Sequence, residues 1–143
     1  MSTATTASTA AVPDEASTAV GRWVRVCLLH DLAVERGAAA LVDGTQIALF
    51  RLPDDSVRAV QQRDPYSGAN VMSRGIVGTR RGLPTVAAPM YKQVFSLETG
   101  VCLDPVGYTP LDPAHAHLVT FPVRVTDGVV QVGPPDGAAE PGA

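Results

Sequence analysis

Two Asp-Gly pairs constrain this chain more than any other feature. Asp43-Gly44 separates "AAALV" from "TQIALFR", and Asp127-Gly128 separates "LVTFPVRV" from "VVQV". An Asp-Gly pair readily adopts the positive φ values of a two-residue hairpin turn, whose twist matches that of the strands it joins. Each flanking run is short and rich in Val, Leu and Ile, so both pairs predict antiparallel hairpins. Further strands are expected in "RWVRVCLL" (22–29), in "SVRAVQQ" after the Pro53-Asp54-Asp55 turn, and in "LPTVAA", "QVFSL" and "VCL". Between "SVRAVQQ" and "LPTVAA" lies a stretch with Pro65, Gly68, Gly75 and Gly78, which reads as irregular. His30 to Val34 predicts one short helical turn with Asp31 as its N-cap, and no segment has the period of an amphipathic helix. The apolar fraction of 45% leans on Ala and Val, and only 5% of residues are aromatic. Such a core suits packed strands. The expected fold class is all-β, an antiparallel sandwich or small barrel of short strands with at most one short helical turn.

At 143 residues the chain has the length of one domain, enough to bury roughly two thirds of its unfolded surface without a metal or disulfide. Residues 1–20 are Ser-, Thr- and Ala-rich with almost no large apolar side chain, so they are expected to be a disordered tail. The stretch 134–143 reads the same way, leaving 21–133 as the folded domain. The N-terminus lacks the basic start and apolar run of a secretory signal, and no stretch approaches the roughly 20 apolar residues of a membrane span. A cytoplasmic protein with no membrane partner is expected. Its two cysteines, Cys27 and Cys102, should be reduced. The net charge of −3 argues against nucleic acid as a partner. From Arg63 to Lys92, however, five basic residues stand against one acid, a local +4, while the remainder carries six basic and thirteen acidic groups, or −7. That segment is either a steering surface for an anionic partner or an ordinary solvated loop.

Candidate chemistry is sparse. Cys27-Leu28-Leu29-His30 has a metal-ligand spacing, but it ends an apolar strand with no glycine or proline to curl it and no second pair to complete a site. A core cysteine beside a surface histidine is the expected reading. His115-Ala116-His117 lacks a third ligand nearby and is expected on the surface. No nucleophile-elbow, phosphate-binding or dinucleotide-binding motif is present, and with three histidines in the chain the case for a Ser or Cys nucleophile with its base and orienting carboxylate is weak. Trp23 is expected to pack at the core or edge. Arg74, within Ser73-Arg74-Gly75, offers a planar fork of donors for an anion or for carbonyls of its own loop. No catalytic, cofactor-binding or metal residue is expected.

Two loops remain. Asp64-Pro65-Tyr66 follows a strand, and Ala88-Pro89-Met90-Tyr91 lies about twenty residues on, followed by Phe95 and Thr99-Gly100. This frame resembles that of Rieske domains, whose [2Fe-2S] cluster is held by a Cys-x-His loop and a Cys-x-x-His loop. Pro65, Pro89, Phe95 and Thr99-Gly100 match the family frame. The four ligand positions do not: Asp64 and Ala88 stand at the cysteine places, Tyr66 and Tyr91 at the histidine places. This ligandless pattern is similar to that of the small subunits of cytoplasmic assimilatory NAD(P)H nitrite reductases. Asp64-Pro65, Val71-Met72-Ser73-Arg74-Gly75, Pro89 with Lys92-Gln93 and Phe95, Gly100-Val101-Cys102, and Asp127 to Gln131 carry that similarity from Trp23 to Val132.

The resemblance implies a Rieske-like sandwich with two protruding loops, no cluster and no catalytic centre of its own. It implies one partner, a large subunit holding FAD, siroheme and a [4Fe-4S] cluster, on which nitrite is reduced to ammonium. Alternative readings are a Rieske-type ferredoxin that carries electrons and a stand-alone interaction module. Tyr66 and Tyr91 are either buried fillers of the vacated cluster space or, with Met90, exposed anchors for the large subunit, rimmed by Arg74 and Lys92. Mixed burial, with the arginines outside, is the expectation.

Overall fold

A computed structural model describes residues 23–134. The two expected tails lie outside the described residues, apart from residue 134. Eleven strands run along the described chain: β1 (Val24–Leu28), β2 (Gly37–Val42), β3 (Thr45–Arg51), β4 (Val57–Gln61), β5 (Ile76–Arg80), β6 (Leu83–Ala87), β7 (Val94–Ser96), β8 (Cys102–Asp104), β9 (Thr120–Phe121), β10 (Val123–Thr126) and β11 (Val129–Val132). They form three sheets, ordered β1-β11-β10, β2-β3-β4-β9 and β5-β6-β7-β8. All named strand pairs are antiparallel.

Strand β3 explains the layering. Side chains alternate across a strand, and "TQIALFR" is apolar on both faces. Ile47 and Leu49 join Leu32, Val57, Ala59, Val130 and Val132 in one core, while Ala48 and Phe50 join Val60, Met72, Val86, Phe95 and Leu97 in the other. The sheet β2-β3-β4-β9 is therefore the middle layer, covered on both faces. A strand buried on both sides reads as a continuous apolar run rather than as alternation.

Both Asp-Gly pairs form the expected hairpins, with φ of 50° and 81° at Asp43 and Gly44, and 54° and 75° at Asp127 and Gly128. A third turn of this kind was not expected. Arg81 and Gly82, at φ 53° and 81°, join β5 to β6, so the stretch read as irregular contains a full strand at residues 76–80. Its glycines hid it: Gly75 lies against the Ala87 carbonyl and Gly78 sits within β5. "LVTFPVRV" is not one strand. Pro122 has no N–H for a ladder, and the chain changes sheet there, with β9 on β4 and β10 on β11.

The expected helical turn is a single turn of 3-10 helix at Leu29–Asp31, and Asp31 is its third residue rather than its N-cap. Its carboxylate accepts from the Leu28 N–H at 3.0 Å, the bond that the third residue of a capping box makes back to the N-cap backbone. Two further single turns, Met72–Arg74 and Pro113–His115, go beyond the one expected.

Candidate functional site

Three hairpin loops share one closure. Residues 63 and 70, 87 and 94, and 95 and 102 are paired, each pair spanning a loop of the same length. In each loop the first residue donates its N–H to the carbonyl of the sixth: Asp64 to Ala69 at 2.8 Å, Ala88 to Gln93 at 2.8 Å, Ser96 to Val101 at 2.9 Å. The fifth residue donates back to the first: Gly68 to Asp64 at 2.8 Å, Lys92 to Ala88 at 3.0 Å, Gly100 to Ser96 at 2.8 Å. That fifth residue is left-handed in all three, with φ of 81° at Gly68, 68° at Lys92 and 81° at Gly100. Pro65 and Pro89 occupy the second position, where their fixed φ suits the first corner of the turn.

The first position decides how each loop holds itself. Asp64 is fully buried; one carboxylate oxygen accepts from the Tyr66 N–H and the other from the Ser67 hydroxyl, both at 2.9 Å. Ser96 caps its loop likewise, its hydroxyl accepting from the N–H groups of Glu98 and Thr99. Ala88 has no acceptor to offer. The loop 88–93 thus lacks both a side-chain cap and a glycine at its left-handed position, and its bracing comes from outside. The Tyr91 ring stacks on Tyr108 with centroids 4.7 Å apart, and Gln93 Nε2 donates to the Pro105 carbonyl at 3.4 Å. The same segment after β8 reaches the first loop, where Leu111 N–H donates to the Pro65 carbonyl at 3.0 Å. Sequence reasoning passed over this bridging segment, Pro105 to Leu111, because nothing in its composition separates it from an ordinary loop.

The tyrosines diverge. Tyr66 is buried, its ring 6.1 Å from that of Phe95, and its hydroxyl donates to Cys102 Sγ at 3.4 Å. Burial first, and then Cys102, push the phenol up to about 12. Tyr91 is exposed, as are Met90, Lys92 and Arg74. Ala88 is buried and presents only a methyl group.

The other candidates stay apart. Cys27 is half-buried and its thiol is pushed up to about 11, by burial and then by the Asp31 carboxylate, which leaves it a poor thiolate source. His30 projects into solvent. His115 pairs with Asp112 at 2.8 Å, and His117 Nδ1 accepts from the Cys102 N–H at 3.0 Å. Among the described residues no three His, Cys, Asp or Glu side chains group as metal ligands. Trp23 packs at an edge, with the Arg124 guanidinium 4.4 Å from the ring centroid. The loop pair does not fit a [2Fe-2S] cluster, which needs thiolates to bind iron. Asp64 spends both carboxylate oxygens on its own loop, Ala88 has no donor, and Tyr66 and Tyr91 face different surroundings.

Residues 22–133 match the model of the Rieske-like [2Fe-2S] domain. The small subunit of NADH nitrite reductase from Salmonella typhimurium is 33% identical over 114 residues, which cover 79% of this chain and 98% of that protein. The chain belongs to the nitrite reductase small-subunit family. A crystal structure from Mycobacterium tuberculosis, described as an NADH-dependent nitrite reductase small subunit, superposes with a TM-score of 0.69 at 46% identity and covers 80% of this chain and 96% of that one. In the large subunit of NAD(P)H nitrite reductase from Klebsiella oxytoca, 111 residues are 36% identical to this chain, covering 78% of it and only 11% of that protein. In that relative a small-subunit-like segment is part of the large polypeptide. The Rieske-like, antiparallel all-β fold expected from the sequence is the fold of this family, and the loops that make it distinctive are those just described.

Proposed function

We propose that this chain is a cluster-free, non-catalytic small subunit of a cytoplasmic NAD(P)H nitrite reductase, serving nitrogen assimilation by binding and supporting the large subunit. FAD, siroheme and a [4Fe-4S] cluster, with the reduction of nitrite to ammonium, belong to that large subunit. The observation that carries this reading is the donor set at the two loop tips, in which carboxylate, methyl and phenol stand where a diiron centre needs sulfur and imidazole. The Klebsiella protein supports the choice of partner, because a segment like this one travels there within a chain named as the large subunit. Met90, Lys92 and Arg74, all exposed, are the partner-facing residues of the loop region. Among the described residues no helix is long and apolar enough to cross a membrane. A Rieske-type ferredoxin would need the ligands this chain lacks.

The test is purification under anaerobic conditions with iron and acid-labile sulfide determined. The isolated chain should be colourless and free of both, and it should co-purify with a flavin- and haem-containing large subunit whose activity is assayed with and without it. Stoichiometric iron and sulfide would overturn the cluster-free reading. Failure to bind the large subunit would overturn the subunit reading.

A further inference from the structure

Resting on the subunit reading above, we infer that the docking face for the large subunit is an apolar ledge built by one loop and the segment that braces it: Met90 and Tyr91 from the loop 88–93, and Tyr108 and Leu111 from the segment after β8. These four side chains are 53%, 39%, 49% and 60% exposed, although Met and Leu are types a folded chain usually hides and Tyr is intermediate. Short stretches of chain and one ring contact link them. Tyr91 stacks on Tyr108, Leu111 is tied to Pro65 and covers Gly68, and Tyr108 N–H is tied to the Pro105 carbonyl.

Two independent observations mark the ledge as a surface made for contact. First, its central loop is the least self-sufficient of the three matched loops. It places Lys92 in a left-handed conformation where both sisters have glycine, one of seven such non-glycine positions among the described residues, and its bracing comes from the segment after β8. Second, the exposed rings stack on each other at an interplanar angle of 25°, and aromatic and methionine side chains are enriched at protein interfaces. Lys92 on the same loop supplies one exposed positive charge beside the ledge, whereas Arg80 is paired with Asp104 and Arg63 faces Asp112, so the complementary surface should be apolar at its centre with an acidic residue opposite Lys92.

The occupant is the large subunit rather than a second copy of this chain. The Klebsiella protein holds a comparable segment in the same polypeptide as the large subunit.

The experiment measures the affinity of full-length chain for the cognate large subunit, with Met90→Glu and Leu111→Glu as ledge variants and Leu41→Glu as a control. Leu41 is 69% exposed on β2, outside the ledge. Thermal melts confirm that all three fold. Both ledge variants should weaken binding at least ten-fold and the control should leave it unchanged, with the weakening larger for the charge-reversing Lys92→Glu at low salt than at high salt. Wild-type affinity in both ledge variants, while the complex still forms, overturns the ledge and leaves the subunit reading intact. A wild-type chain that dimerises through Met90 and Leu111 also overturns it. No binding by the wild-type chain ends both.

Discussion

At the scale of single residues, one position in each loop does most of the explaining. Tyr66 fills the space between the first loop and the β7-β8 hairpin, touching Phe95 and Cys102. Removing a buried aromatic ring leaves a cavity, so Tyr66→Ala should cost about 3 kcal/mol in chemical denaturation. Tyr66→Phe loses only the bond to sulfur and should cost about 1 kcal/mol or less. Lys92 is the opposite case, an exposed side chain in a conformation that suits glycine. Lys92→Gly should raise the stability of the isolated chain by up to about 1 kcal/mol while reducing affinity for the large subunit. A gain in both would show that Lys92 is merely a poor loop residue. Tyr66 is the third residue of its loop and Tyr91 the fourth of its own, an offset visible in the sequence, but what each ring packs against was not. The difference is made by Phe95 and Cys102 on one side and by Tyr108 on the other.

At the scale of elements, the loops are one device used three times. Gly100 shows how tightly it is built. It takes a left-handed φ, and a β-carbon there would press into the Leu118 carbonyl, whose own N–H donates to the Gly100 carbonyl at 2.8 Å. The Thr99-Gly100 pair visible in the sequence is thus a backbone requirement, unrelated to ligand binding. Gly100→Ala should lower stability by at least about 1–3 kcal/mol, since both strain and overpacking oppose it. The same substitution at Gly44, which has nothing near its β-carbon position, should suffer from the φ penalty alone and cost less. Comparing the two midpoints in urea separates close approach from conformation. Pro122 is the other element-scale switch, and it shows why a continuous β-forming run is not proof of a continuous strand.

For the molecule as a whole, titration should be felt more in base than at neutral pH. Cys27 and Tyr66 are both uncharged when protonated, and burial raises them from 9.0 to about 11 and from 10.0 to about 12. A raised folded-state value means that the stabilisation is fully present below the unfolded value and is lost as pH rises through the folded one. Melting temperature should therefore hold up to about pH 9 and fall between there and pH 12, and the fall should shrink in Tyr66→Phe. On the acid side Asp54, held down by Ser56, and Asp112, held down by the Ala114 N–H and His115, favour the fold above the ordinary carboxylate range. Their contribution fades as pH drops through it.

Local chemistry in the sequence was enough to determine the hairpins at Asp43-Gly44 and Asp127-Gly128 and the all-β class, while the mismatch between the loop residues and a diiron cluster became legible only against the family frame. Turn conformations and donor atoms belong to a few neighbouring residues, so no long-range knowledge is needed to see them. The third layer, the strand hidden among Gly75, Gly78 and Gly82, the divergence of the two tyrosines and the ledge from Met90 to Leu111 were decided only by tertiary structure. Each depends on which distant segment happens to lie opposite, and packing across a chain of this length is not written in any one stretch of it.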